Sequence, residues 1–398
     1  MDLNPLLRRA VELGASDVHL KIGKPPVART DGSLAPMDDV RALDADDLEG
    51  VLETITRDTP EKRGAFQTSG ELDLAYQDGD LPRFRVNAFR QRGAISFAFR
   101  VIPKQVPSFE QLGLPKGVQR LAHEHRGLVL VTGATGSGKT TTLAAMIDFI
   151  NRNRQQHIVT IEDPIEILHQ DLGCIVNQRE VGLDTSDFTE ALRRALRQDP
   201  DVILIGELRD AETAQTALHA AESGHLVLST MHTVDVPETV GRMVEFFPAV
   251  KQPMIRSIMA GVLSGVVSQR LLPRLGGGRV PAVEVMITNN RIADLIRDNE
   301  PEGIPDAIAE GAFFDMQSFT QALIELVLAD EVDRDVAANA ATNRHDFLVS
   351  LEHALKRKAA EERVAGRETD GSSEYARSAP EPMAAQDAPA LRLANPGG

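Results

Sequence analysis

A single cysteine, Cys174, stands in 398 residues. No intramolecular disulfide can form, and no zinc site can be built from a cysteine cluster. Basic side chains are in deficit: 43 Lys and Arg face 59 Asp and Glu, a formal charge of −16. That balance removes any global attraction to nucleic acid or anionic lipid and counts against a dedicated DNA-binding protein, although a local basic patch stays open. Long apolar runs are missing too. The best stretch, Met254 to Val267, is short and carries Arg256, so it does not read as a bilayer span. The opening Met1-Asp2-Leu3-Asn4-Pro5 has neither the basic nor the apolar region of a signal peptide, and no internal repeat is present. These absences lead us to expect a cytoplasmic chain without membrane insertion, and the length allows roughly two or three domains.

What is present falls into blocks. Leu3, Leu6, Leu7, Ala10 and Val11 have helical spacing. Asp17 to Ile22, Leu72–Tyr76, Arg83–Phe89 and Ala94–Val101 alternate polar and apolar, as half-buried strands do. A helix is expected near Asp46–Thr56. Residues 1–100 therefore predict a small α+β domain with an antiparallel sheet. Pro103, Pro107 and Pro115 mark a stiff connector over 101–116. Beyond it, Leu128–Val131, Ile158–Ile161, Val202–Ile205 and Leu226–Leu228 are continuous apolar runs, which suit strands covered on both faces of a mainly parallel sheet. Residues 117–289 form this α/β core, 290–360 a helical subdomain, and 361–398, poor in apolar anchors, a tail expected to be disordered.

The first apolar run leads into Gly133-Ala134-Thr135-Gly136-Ser137-Gly138-Lys139-Thr140, a Gly-x-x-x-x-Gly-Lys-Thr string. Glycines let the backbone wind so that several N–H groups meet one phosphate. Lys139 supplies charge at the β- and γ-phosphates, and the Thr140 hydroxyl suits Mg²⁺. The string predicts a nucleoside-triphosphate site. Hydrolysis also needs a carboxylate to orient or deprotonate water. Glu207 follows Val202–Ile205 at the carboxyl end of a strand, where open α/β sheets bind ligands; the alternative is an ion pair with Arg209. Gly206 stands where many such proteins carry Asp, so metal support must come from elsewhere. Glu162, Asp163 and Glu166 crowd the end of the preceding strand, either around a cation or as a solvated acidic turn. His225 and His232 flank Leu226–Met231, and either could sense a γ-phosphate or be structural.

Taken together, these segments resemble the secretion ATPases of type II secretion and type IV pili. The P-loop is followed in order by an acidic box (Ile161 to Glu166), a Walker B strand (Asp199 to Glu207) and a His box (Gly224 to Thr233). Gly14 to Leu20, Arg83 to Phe89, Val176 to Val181 and Gly276 to Val280 look like the pilus-retraction branch, PilT/PilU-like. The single cysteine, against the four-cysteine insert usual in assembly and secretion motors, and a start directly at the small α+β domain favour that branch. The resemblance implies a RecA-like P-loop domain behind a PAS-like α+β domain, and a homohexamer binding ATP and Mg²⁺ between subunits. It makes Glu207 the catalytic carboxylate and a metal-site residue with Thr140. Glu162 and Asp163 become acidic groups near metal and water, His225 and His232 the His box, and Arg85 and Arg100 arginines that reach toward the phosphates.

The implied function is pilus retraction and twitching motility, driven by domain rotation. It would be exerted at the cytoplasmic face of the inner membrane through a PilC-like platform protein, with a paralogous retraction or assembly ATPase as a further partner. Alternatives are a pilus-assembly or type II secretion motor, an accessory retraction ATPase, a nucleic-acid translocase and a non-hydrolysing nucleotide-gated scaffold. One departure concerns Arg291 to Asp298. Where the branch commonly has Ala-Ile-Arg-Asn-Leu-Ile-Arg-Glu, the first arginine falls at Ala293, which leaves open whether this copy acts alone or assists another motor.

Overall fold

The computed structural model describes residues 1–377 except 31, 103 and 104, with side chains described through residue 360. Pro103 and residues 378–398 of the expected tail lie outside the described residues. The chain divides into two compact units, Met1–Thr342 and one beginning at Asn343. Among the described residues of the first unit, thirteen strands form two sheets.

The first sheet is antiparallel, in the order β3-β2-β1-β6-β5-β4. Its strands are β1 (Asp17–Lys21), β2 (Val27–Thr30), β3 (Ser33–Pro36), β4 (Glu71–Tyr76), β5 (Phe84–Gln91) and β6 (Ala94–Val101). Alternation along β5 and β6 puts Phe84, Val86, Phe97 and Phe99 into one core with Leu3 and Leu7 of the helix Leu3–Glu12 and Leu48 and Leu52 of the helix Ala45–Ile55. β2, β3 and the helix Pro60–Ser69 go beyond the sequence reading. The edge strand β3 is exposed at all four positions, so it carries no apolar alternation to read.

The second sheet has the order β13-β12-β7-β11-β10-β8-β9. Its strands are β7 (Gly127–Thr132), β8 (His157–Glu162), β9 (Ile175–Glu180), β10 (Val202–Ile205), β11 (Leu226–Met231), β12 (Leu263–Pro273) and β13 (Arg279–Ile287). β12 through β9 run parallel, and β13 returns antiparallel to β12. The apolar runs of β7, β10 and β11 are buried throughout, as strands covered on both faces must be. The stretch Met254 to Val267 is shared between the helix Gln252–Val262 and the start of β12, and no described helix is long and apolar enough to cross a membrane.

An ion pair links the two sheets. The Arg83 guanidinium, just before β5, meets the buried Glu180 carboxylate at the end of β9 at 2.7 Å, and Glu180 also accepts from the Ile165 N–H. Short helices between Asn290 and Ala340 complete the first unit. The second unit contains the helix Arg344–Arg377. It runs past residue 360, and no Pro intervenes before Arg377 to stop it.

Candidate active site

Parallel register brings the carboxyl ends of β7, β8, β10 and β11 to one edge, and with them the P-loop, Glu162, Glu207 and His232. A cleft of about 660 Å³ opens there.

Gly133, Gly136 and Gly138 have φ of +138°, +79° and +94°. At Gly133 a side chain is also excluded by space, because a Cβ would lie 2.4 Å from the Gln269 carbonyl. The loop ends in the helix Lys139–Asn153, whose N-terminus has no side-chain cap, so its first N–H groups remain for an anion. Buried Lys139 donates to the Gly133 and Ala134 carbonyls at 2.8 and 3.1 Å, and burial holds its ammonium below the ordinary lysine range. The Ser137 hydroxyl oxygen is buried without a protein partner. Uncapped N–H groups, a desolvated lysine and an orphaned hydroxyl fit a phosphate chain. Thr135, Gly136, Gly138, Lys139 and Thr140 line the cleft.

Glu207 sits where β10 has ended. Its backbone is fixed by Gly206 N–H to the Ile161 carbonyl (2.8 Å), Thr230 Oγ1 to the Gly206 carbonyl (2.7 Å) and Leu208 N–H to the Thr230 carbonyl (3.0 Å). Its carboxylate accepts from His232 Nε2 at 2.9 Å and pairs with Arg209. The Arg209 pair is therefore present, and the same carboxylate lines the cleft. Burial, with Lys139 and Arg209 nearby, lowers the His232 pKa, favouring a neutral ring with its Nε2 proton on Glu207. A Cβ at Gly206 would be tight, 3.3 Å from the Ile161 carbonyl and 3.4 Å from the Phe188 ring, so the usual Asp would fit there only if these neighbours gave way.

Glu162 and Asp163 also line the cleft. Burial raises the Glu162 pKa, although Thr160 Oγ1 (2.6 Å) and Gln178 Nε2 (3.1 Å) donate to the carboxylate. Among the described residues no group of three or more His, Cys, Asp or Glu could hold a metal ion unaided. A divalent cation here fits only as one shared between Thr140 and bound phosphates, with acidic side chains around it.

The arginines divide. Arg100 on β6 lines the cleft and donates to Asp17 at 2.9 Å. Arg85, its direct neighbour across β5 and β6, is exposed and does not line it. His225 does not line the cleft. It precedes β11 while His232 follows it, so the length of the strand separates His225 from the phosphate pocket. Its Nδ1 faces the Ala220 carbonyl at 2.9 Å, at the end of the helix Ala211–Glu222. Residues flanking one strand stand at opposite edges of the sheet. The cleft also holds Arg209, together with His169 and Arg279, to which the sequence reading assigns no role. Arg279 opens β13 after the turn at Gly277 and Gly278, both at positive φ, and a glycine run before an apolar strand is the signal that it returns on a hairpin.

Comparison with known proteins agrees with this geometry. The family described as type II/IV secretion system protein matches residues 1–369. The type IV pilus retraction ATPase PilT of Pseudomonas aeruginosa is 44% identical over 352 residues, 87% of this chain and all of that protein. The type IV pilus ATPase PilU of the same organism is 38% identical over 88% of this chain and 91% of its own. A crystal structure of the pilus retraction motor PilT with bound ADP superposes with a TM-score of 0.81 at 42% identity, covering 87% of this chain and 98% of that one.

Proposed function

The chain belongs to the type II/IV secretion ATPase family, and we propose that it is a motor of type IV pilus retraction, the activity that underlies twitching motility. The observation that carries this is the convergence at one sheet edge of an uncapped P-loop, Glu207 bonded to His232, and Arg100 from the other sheet. Lys139 would exchange its loop carbonyls for the β- and γ-phosphates, with the N–H groups of Gly136 to Thr140 around them. Glu207, oriented by His232, would position the attacking water. Mg²⁺, held by Thr140 and ringed by Glu162, Asp163 and Glu207, would neutralise charge on the phosphates.

In this reading the working form is a homohexamer, in which Arg85 and Arg100 act on nucleotide between subunits. Rotation of the antiparallel domain against the P-loop domain supplies the mechanical step. The motor works in the cytoplasm, against a PilC-like platform protein of the inner membrane. Ala293, in the helix Asn290–Asp298, supports a second reading, an accessory motor that assists a paralogue.

Steady-state hydrolysis with light scattering on the same sample tests the proposal. A hexamer that turns over Mg-ATP is expected. Glu207→Gln should keep nucleotide binding while losing about 10²–10⁴ in kcat. Turnover by Glu207→Gln near that of the unmodified chain would remove Glu207 from the chemistry, and a monomer that binds ATP without hydrolysing it would replace the motor with a scaffold.

A further inference from the structure

Beyond His232 the chain turns through Thr233, Val234 and Asp235 into the helix Val236–Glu245, where Asp235 caps the Glu238 N–H. Two side chains of the β12–β13 hairpin hold this turn. Glu284 Oε2 accepts from the Val236 N–H at 3.2 Å, and Arg270 Nη2 reaches the Val234 carbonyl at 3.5 Å. The same two side chains hold the C-terminal helices of the first unit. The Phe319 backbone N–H lies close enough to Glu284 to favour its charged form, and the Arg270 guanidinium lies 4.0 Å from the centre of the Phe319 ring. Arg270 also donates to the Ala340 carbonyl and, at 3.1 Å, to Thr342 Oγ1.

Val236 and Phe319 each open a helix, so their N–H groups have no acceptor within the helix. One buried carboxylate accepts from the first and lies beside the second. The neighbouring residues of β12 press on the P-loop: Ser268 accepts from Thr132 Oγ1 at 2.8 Å, and the Gln269 carbonyl is what leaves no room for a Cβ at Gly133. Successive residues of one strand thus touch the nucleotide loop and the C-terminal helices. Buried ionic groups can often be replaced by packed apolar residues without loss of stability, so stability alone does not account for a glutamate at this junction.

We propose that Arg270 and Glu284 are positioning residues that tie the His232 turn to residues 319–340, so that nucleotide in the cleft is felt by the C-terminal helices and movement there acts back on His232. Such coupling is reciprocal by thermodynamic necessity. The proposal rests on the reading of the cleft as the ATP site. Glu284 also meets two charged neighbours, Asp235 from the turn and Arg270 from β12. Burial and Asp235 push its carboxyl up to about 7, against the hydrogen bonds and Arg270.

Hydrogen-exchange mass spectrometry on the full chain, with and without ADP, tests this beside kcat and KM. In the unmodified protein, ADP should protect the P-loop helix, residues 233–236 and residues 319–328. Glu284→Leu should bind ADP and protect the P-loop helix but lose the ADP-dependent change over 319–328. Its kcat should fall roughly tenfold with KM little changed. Glu284→Gln, which keeps an acceptor oxygen, should restore most of both. If Glu284→Leu does not fold, Arg270→Met, which keeps packing on Phe319, gives the same comparison. ADP-dependent protection of 319–328 that survives in the variant, or that is missing in the unmodified protein while the P-loop helix is protected, overturns the proposal. No ADP binding by the unmodified chain overturns the ATP-site reading itself.

Discussion

The two sheets of the first unit put their chemistry in different places. In the seven-stranded sheet both faces are covered and the strands are buried, so reactive side chains can stand only at strand ends, and Glu162, Glu207 and His232 do. In the six-stranded sheet one face is open, and the charge lies on that face. Arg85 and Arg100 are directly opposite each other in the β5–β6 register, and of the two it is Arg100 that pairs with Asp17. Hydrogen bonds from Arg100 and Ser16 hold the Asp17 carboxyl below its usual range despite its burial. Like charges facing each other across strands destabilise a sheet. The parallel sheet therefore gathers its reactive groups at strand ends, while the antiparallel sheet sets two arginines side by side on an open face with Asp17 paired to one of them.

The largest effect that would sharpen this contrast concerns those arginines. On the proposed ring, Arg85→Ala and Arg100→Ala should each lower kcat by about 10³, the lower range for an arginine acting on a transferring phosphoryl group. Nucleotide binding at the P-loop should be retained. Mixing Arg100→Ala chains with Glu207→Gln chains should recover part of the turnover, because some interfaces then pair an intact Glu207 with an intact Arg100. Single variants that keep nearly full turnover would confine the open face to a structural role and break the comparison.

The next effect lies at the buried end of the contrast. Glu284 is nearly inaccessible at 7% exposure, and its carboxyl is raised from 4.5 to about 7. Between those pH values the folded protein holds a proton that the unfolded chain has released. Stability from this site is therefore full at acid pH and is lost as pH rises through 7, by about 3 kcal/mol. Glu284→Gln should then be more stable than the unmodified chain at pH 8, with the gain shrinking toward pH 5, as read by urea unfolding at both values. A gain equal at the two pH values would show that this carboxylate does not carry the ionisation. Glu284→Leu stabilised at pH 8 yet uncoupled from nucleotide would separate the positioning role of Glu284 from structural support.

Much of the parallel half is legible in the sequence. Burial on both faces leaves continuous apolar runs, and the glycines of the P-loop are demanded by backbone shape, so Lys139, Thr140 and Glu207 follow from their places after a strand. Polar edge strands are harder. β9 reads Ile175-Val176-Asn177-Gln178-Arg179-Glu180 and gives no apolar run, although its last residue carries the contact to Arg83. The arginine face was reached through family resemblance, since exposed arginines on a half-buried sheet look alike whether or not an anion visits them. The Arg270–Glu284 junction was not legible at all, because its partners at 234–236, 319 and 340–342 are brought together only by the fold.

The smallest effect tests the two histidines, which sequence placed together and the fold sets apart. His232 Nε2 is 2.9 Å from Glu207, so His232→Ala should lower kcat by about tenfold or more through loss of the orienting bond, with the melting temperature little changed. His225 touches no cleft residue in the described hydrogen bonds. Its ring meets the Ala220 carbonyl near the end of the helix Ala211–Glu222, which the His225 backbone N–H also reaches, so the side chain adds a second bond to that helix end. His225→Ala should leave kcat and KM unchanged and cost about 1 kcal/mol of stability. Measured side by side, the pair asks whether position along β11 decides function. A kcat loss in His225→Ala equal to that in His232→Ala, with stability intact, would mean that the amino end of the strand also meets nucleotide, and the division between the two edges of the parallel sheet would fail.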